Sequence, residues 1–309
     1  MNEARSRISV FTNPDDGRPR AGWRLLLQLF VLIILLTFWQ VALQGWPGEG
    51  HLLYLVYGGF ITLSVWIAAH LFDRRKLKEY GLKITPQWIR ECFFGVLIGF
   101  AAMSLLFAIY WSAGWAVFNG WGWERTHNHS YILMITGYLV MMMAVGFYEE
   151  LLFRGYQTKN LAEAIQVGRF DYNKAAFAAV FITSVFFGVM HYWNPNASLI
   201  STFNITVAGI MLGLPYILTN SLALPIGLHF SWNFFQGGVF GFPVSGNPPR
   251  ESVIQVVVEG PELLTGGRFG PEGGIVGGFA ILVLTVVILA YYRQLPAPKA
   301  TAAFTQPPE

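Results

Sequence analysis

Apolar residues in this chain come in long, nearly unbroken runs rather than at the one-faced spacing of a surface helix. Eight runs approach the roughly 20 residues a helix needs to cross a bilayer: 23–43, 52–71, 92–115, 131–154, 175–192, 204–218, 222–240 and 273–292. The pattern predicts an all-α fold, a polytopic transmembrane helical bundle of about eight spans. The sixth and seventh runs are short, and only Thr219, Asn220 and Ser221 separate them, with Pro215 and Pro225 on either side. That punctuation fits a tight hairpin or a broken helix. The first run is too long for the core of a signal peptide and is read as a retained span.

Between the spans, residues 237–273 form a Gly/Pro-rich connection in which Val253 to Val258 either lies against the membrane or pairs as a short strand. The organisation expected is a cytoplasmic N-terminal arm (1–22), a single transmembrane domain (23–292) and a disordered Pro/Ala-rich tail (293–309). No internal repeat is evident.

Charge sets the orientation. Arg5, Arg7, Arg18, Arg20 and Arg24 precede the first span, and Arg74, Arg75, Lys76, Lys78 and Lys83 follow the second. Lys159, Arg169 and Lys174 lie between the fourth and fifth, and Arg293 and Lys299 follow the last. With eight spans all of these fall on one side, which the positive-inside rule makes the cytoplasm, with both termini inside. Composition agrees with a membrane location: 54% of the 309 residues are hydrophobic and 12% charged, about half the usual charged fraction of a soluble domain. The basic residues gather at segment ends, which suits a lipid bilayer and not nucleic acid. A single cysteine, Cys92, excludes an internal disulfide framework and cysteine-type zinc sites.

Against that background, Glu149, Glu150 and Arg154 stand out at the end of an apolar run. A charge at the bilayer centre costs about 2.5–3.5 kcal/mol on insertion scales and is usually functional. Glu150 and Arg154 share a helix face and can pair, which leaves Glu149 about 100° away with no local partner. His191 closes the fifth apolar run, and His229 and Asn233 sit one helical turn apart in the seventh. His51, His70, His127 and His129 fall at span ends or in loops and read as solvated. If the fourth helix continues past Arg154 to about Ile165, Glu149 and His191 reach similar depth in antiparallel neighbours. The bland alternative is a set of interhelical hydrogen bonds that glue spans together.

A carboxylate beside apolar residues can act as general base toward water, a histidine can hold that water, and a second histidine with an asparagine can stabilise an oxyanion. The same residues could instead bind zinc through Glu149, His191 and His229. H-E-x-x-H, G-x-S and phosphate-binding glycine motifs are absent.

Three motifs occur in order on separate spans: E-E-x-x-x-R at Glu149–Arg154, F-x-x-x-H at Phe187–His191 and H-x-x-x-N at His229–Asn233. Together they resemble the signature of the CPBP intramembrane proteases, which include the CAAX prenyl endopeptidases and the Abi-type membrane proteins. The likeness covers residues 131–240. It implies that Glu149 activates water with His191, that His229 and Asn233 stabilise the oxyanion, and that Glu150, Arg154 and Phe187 support them. The family is described both as glutamate-dependent and as zinc-dependent. The metal-free scheme is favoured, because Asn233 offers an amide where a third strong zinc ligand is wanted. Expected substrates are peptides or proteins: prenylated CAAX peptides, leader peptides or membrane-protein tails. A non-catalytic scaffold or immunity protein on the same fold, or a proton-coupled carrier, are the rival readings.

Overall fold

The computed structural model describes residues 10–14, 16–42, 50–125, 130–166, 172–249 and 251–294. His127, His129 and most of the C-terminal tail lie outside them. Seven helices among the described residues are long and apolar enough to cross a membrane. They are α1 (Ala21–Ala42), α2 (Gly50–Leu71), α3 (Pro86–Ser112), α4 (Ser130–Ile165), α5 (Asn173–Trp193), α6 (Leu199–Thr219) and, last in the chain, Ile275–Gln294. The molecule is thus an all-α integral membrane bundle.

Two sequence expectations change here. The sixth run is a full-length helix, and Pro215 lies inside it rather than at its end. Asn220, in the left-handed conformation at φ 53°, closes that helix. The seventh run is not a full-length α-helix. It is the 11-residue helix α7 (Ala223–Asn233), followed by a π-helical stretch, Phe234–Val239. It reads as membrane-spanning because Ala223 through Leu228 are all buried. A helix enclosed by other helices is apolar all round, as a lipid-facing one is, so hydropathy cannot separate the two cases. The helix Ile275–Gln294 is labelled α8.

Glycines let α7 sink into the bundle. A Cβ on Gly95 of α3 would lie 2.6 Å from the Leu224 carbonyl oxygen, and one on Gly227 would lie 2.1 Å from that of Cys92. The two backbones are therefore in contact, the small-residue mode of packing that membrane helices use in place of a hydrophobic driving force. Gly146 of α4 does the same beneath Phe230 of α7. As a result α7 is wedged between α3 and α4, while α6 packs between α5 and α8.

Two short strands, β1 (Ala116–Trp121) and β2 (Ile254–Val258), form an antiparallel ribbon with Ala116 opposite Val258 and Phe118 opposite Val256. The Val253–Val258 stretch thus resolves as a strand. Its partner follows α3, where no periodicity announced it.

A polar cluster fastens α1, α2 and α4 at one end. Asp73, fully buried just after α2, accepts from Asn160 Nδ2 at 2.9 Å, from Tyr156 at 3.3 Å and from the Tyr80 hydroxyl, and lies 3.3 Å from Arg24 Nη1. Glu163 takes Arg24 Nη2 at 2.6 Å and Arg75 Nη1 at 2.5 Å. Burial pushes the Tyr80 hydroxyl well above its usual pKa, and the Asp73 carboxylate adds to this, so Tyr80 stays a donor. The residues that mark the positive side in sequence thus also tie three helices together.

Removing one partner of such a network strands buried charge. Asp73→Ala should destabilise the protein by about 3–5 kcal/mol, whereas Asp16→Ala, whose side chain is 23% exposed, should have little effect. Thermal melts in detergent read both, and coincident melts for wild type and Asp73→Ala would exclude this role.

Candidate active site

The site is assembled where α4 changes geometry. Glu149 and Glu150 end its regular α-helical part, and Leu151–Thr158 continues as a π-helix before α-helix resumes. π turns are rare and concentrate at functional places. Glu150 is fully buried and Arg154 is 2% exposed. Their pairing, expected from i, i+4 spacing, is present: Arg154 Nη1 donates to Glu150 Oε1 at 2.9 Å. Arg154 also donates from Nη2 to the Gly209 carbonyl of α6 at 3.3 Å. Its guanidinium lies 4.4 Å from the centroid of the Phe187 ring, where the ring face attracts a cation.

His229 adds a contact that spacing did not reveal. Its Nδ1 lies 2.7 Å from the same Glu150 oxygen. A carboxylate accepts, so Nδ1 carries the hydrogen and Nε2 faces the other way. Nε2 is 3.8 Å from Glu149 Oε2, close in charge terms but beyond a hydrogen bond. Glu150 is therefore more than Arg154's partner: it orients His229. Its second oxygen, Oε2, is buried without a hydrogen-bond partner.

His191 sits in a single tight turn at the end of α5. Its Nδ1 donates to the Phe187 carbonyl at 2.7 Å, which leaves Nε2 as an acceptor in the neutral ring. The ring centroids of Phe187 and His191 are 4.5 Å apart. Phe187 thus touches Arg154 through its face and His191 through its backbone carbonyl and its ring. This explains a phenylalanine four residues before the histidine.

His191, His229 and Asn233 line one cavity of about 490 Å³, counting its open mouth. Most of its other walls are apolar, with Ile205, Met211 and Leu212 from α6, Leu228 and Trp232 from α7, and Ile281 from α8. Glu149 stands beside this set, its side chain 20% exposed, and reaches it through His229. The ion-pair contact of Glu149 is with His229, not with His191.

Three lining or near-lining residues escaped sequence reasoning. Ser245 and Glu272 face the cavity, and Gln236, fully buried on the π-helical stretch after α7, donates to Glu272 Oε2. Gln236 was visible as a second amide, three residues after Asn233, in an aromatic run. Glu272 and Ser245 lie in the Gly/Pro-rich connection, which carries no periodicity to weigh them against.

The zinc alternative would need Glu149, His191 and His229 to converge on one ion. Among the described residues no three His, Cys, Asp or Glu side chains come together as a metal-binding group. Three protein ligands and a water are the usual catalytic requirement. Each histidine commits Nδ1, to Phe187 and to Glu150, and leaves Nε2 open.

Residues 131–235 match the family model described as type II CAAX prenyl endopeptidase, Rce1-like. The match spans about a third of the chain and takes in all three motifs. It bears out the resemblance to the CPBP and CAAX proteases, and it supports, for this part of the chain, a CAAX-type intramembrane endopeptidase with a peptide or protein substrate. No curated protein and no solved structure matches the chain.

Arg154 and Glu149 should respond differently to truncation. Arg154→Ala removes a buried cation and deprives Glu150 of one of its two partners, a loss of about 3–5 kcal/mol. Glu149→Ala removes a partly exposed group and strands nothing. In detergent melts Arg154→Ala should unfold well below Glu149→Ala; equal or reversed order would contradict the assignment of Glu150–Arg154 as the structural pair.

Proposed function

We propose that the protein is an intramembrane endopeptidase that hydrolyses a peptide bond with water activated by Glu149. The observation that carries this reading is the convergence of His191, His229 and Asn233 on one cavity, with Glu149 within 3.8 Å of His229. Glu149 is the one carboxylate of its pair with no ion-pair partner on its own helix. It is free to take a proton, while Glu150 is held by Arg154 and His229.

In this scheme His191, with Nδ1–H committed to Phe187, accepts a hydrogen bond from the water through Nε2 and holds it beside Glu149. Glu149 takes the water's proton as the oxygen attacks the scissile carbonyl. The carbonyl oxygen becomes an oxyanion. Asn233 donates to it through its amide, and His229, in its protonated form, through Nε2–H. Collapse of the tetrahedral intermediate releases the amine, which takes the proton from Glu149. The apolar walls suit a substrate segment with apolar side chains, as CAAX-type peptides have. We assign the reaction no metal: in this scheme Glu149, His191 and His229 serve proton, water and oxyanion.

We also place both termini in the cytoplasm. The basic residues at the α1, α2 and α4 ends argue for this, provided α7 with its π-helical extension completes an eighth crossing.

Purified protein should cleave a CAAX-type peptide in the presence of chelator. Glu149→Ala should abolish turnover while leaving the protein folded. Asn233→Asp replaces the amide donor with a negative charge beside the oxyanion and should lower kcat by about 100-fold or more. Loss of activity in chelator with recovery on adding zinc would overturn the metal-free scheme. An active Glu149→Ala protein would overturn the proposal itself.

A further inference from the structure

A second carboxylate faces the cavity from outside the matched region. Glu272 lies in a short turn (Pro271–Gly273) just before α8 and is 3% exposed. Its Oε1 accepts the Ser245 backbone N–H at 2.6 Å and lies 3.4 Å from the Ser245 hydroxyl. Its Oε2 accepts from Gln236 Nε2. Gln236 also donates to the Pro243 carbonyl at 2.5 Å. The backbone of the turn is pinned to α6, where Asn204 Nδ2 donates to the Glu272 and Gly274 carbonyls, each at 2.9 Å. Around the carboxyl group the titratable neighbours are Tyr110 of α3 and Tyr138 of α4, with His191 and His229 on the same cavity. None of the described ion pairs involves Glu272.

A buried carboxyl group with no cation is costly, and three donors converge on it. What it holds explains the arrangement. Gln236 stands three residues after Asn233, on the π-helical stretch that begins where α7 ends. A π turn is wider than an α turn, so the direction in which Asn233 points depends on how that turn is held. Gln236 is the side chain that holds it, and Glu272 and Pro243 are what Gln236 is tied to. Ser245, held by the other oxygen, is itself a wall of the cavity.

We propose that Glu272 is a positioning residue of the site, fixing Asn233 through Gln236 and the outer cavity wall through Ser245. This rests on the hydrolytic reading above insofar as Asn233 is the oxyanion donor. A catalytic group displaced by about 1 Å can lose on the order of 100-fold in rate, so a residue that never touches the substrate can govern turnover. Burial also pushes the Glu272 carboxyl up from 4.5 to about 7, against the hydrogen bonds from Ser245 and Gln236. The folded state keeps its proton where the unfolded chain has lost it, so Glu272 lowers stability progressively as pH rises from about 4.5 to about 7. A glutamine at this position would not.

The test uses the full chain in detergent. Glu272→Gln and Gln236→Leu should each lower kcat about tenfold or more with KM within about threefold, and the double variant should be no slower than the slower single. The melting temperature of wild type relative to Glu272→Gln should fall as pH rises from about 4.5 to about 7. Wild-type kcat in Glu272→Gln, or additive losses that follow the melting temperature, would overturn the proposal. A second arm needs no turnover. In a Cys92→Ala background, Asn233→Cys supplies a thiol whose alkylation rate by iodoacetamide should change at least threefold when Gln236→Leu or Glu272→Gln is added. An unchanged rate removes the positioning role. Failure of the wild type to cleave any peptide removes the hydrolytic reading instead, and the thiol measurement still decides the place of Glu272.

Discussion

One oxygen atom sets the geometry of this molecule. Glu150 Oε1 accepts both from Arg154 and from His229, and through those two side chains it ties α4 to three other helices. Arg154 carries the link to α6 at the Gly209 carbonyl and to α5 at the Phe187 ring; His229 carries it to α7. Burying a charged pair contributes little net stability, because desolvation offsets most of the attraction. What such a pair does supply is uniqueness: any other rotation of these helices leaves a carboxylate or a guanidinium unpaired in an apolar interior. The Asp73–Glu163 cluster does the same work farther along α4. Glu150 and Glu163 are separated by about 20 Å at the helical rise per residue, and anchoring one helix at two such points fixes both its rotation and its depth.

That constraint also separates the roles of two adjacent carboxylates. Glu149 and Glu150 are chemically alike, and helical geometry alone turns them to different surroundings. Glu150 faces two donors and is spent on structure. Glu149 stands beside His229, with that histidine's Nε2 near and beyond hydrogen-bond range. A base must be unoccupied to take a proton, so the base role proposed for Glu149 depends on Glu150 taking up the local donors.

Much of this was legible in the sequence. Hydropathy gave the all-α membrane bundle, because lipid-facing helices must satisfy their backbones internally and cover themselves with apolar side chains. The i, i+4 rule gave Glu150–Arg154, and the placement of His191, His229 and Asn233 in apolar runs marked them as a set. Other features were hidden for physical reasons. The seventh run looked like one full-length α-helix because protein interior and lipid are equally apolar. His229–Glu150 joins residues far apart in the chain, and no periodicity encodes such a contact. Glu272, Gln236 and Ser245 come from segments whose conformation is set by glycines and by each other. Asp73 was hidden in a loop, among basic residues that were weighed only for membrane orientation.

Both chemistry-bearing helices widen into π geometry directly after their key side chains, Leu151–Thr158 after Glu150 and Phe234–Val239 after Asn233. A π turn takes one more backbone residue than an α turn while keeping the hydrogen-bonded ladder unbroken. Residues on the far side of each stretch are therefore out of step with the count that governs the near side. Faces assigned by a 3.6-residue period do not carry across. The converse concerns chain length. In an ordinary helix, losing one residue swings everything beyond it by about 100°. Here the loss of one residue inside a π stretch would return it to α geometry and leave both flanks facing as they do now. Single-residue changes in length, ruinous elsewhere in a bundle, are the natural unit of variation at these two points.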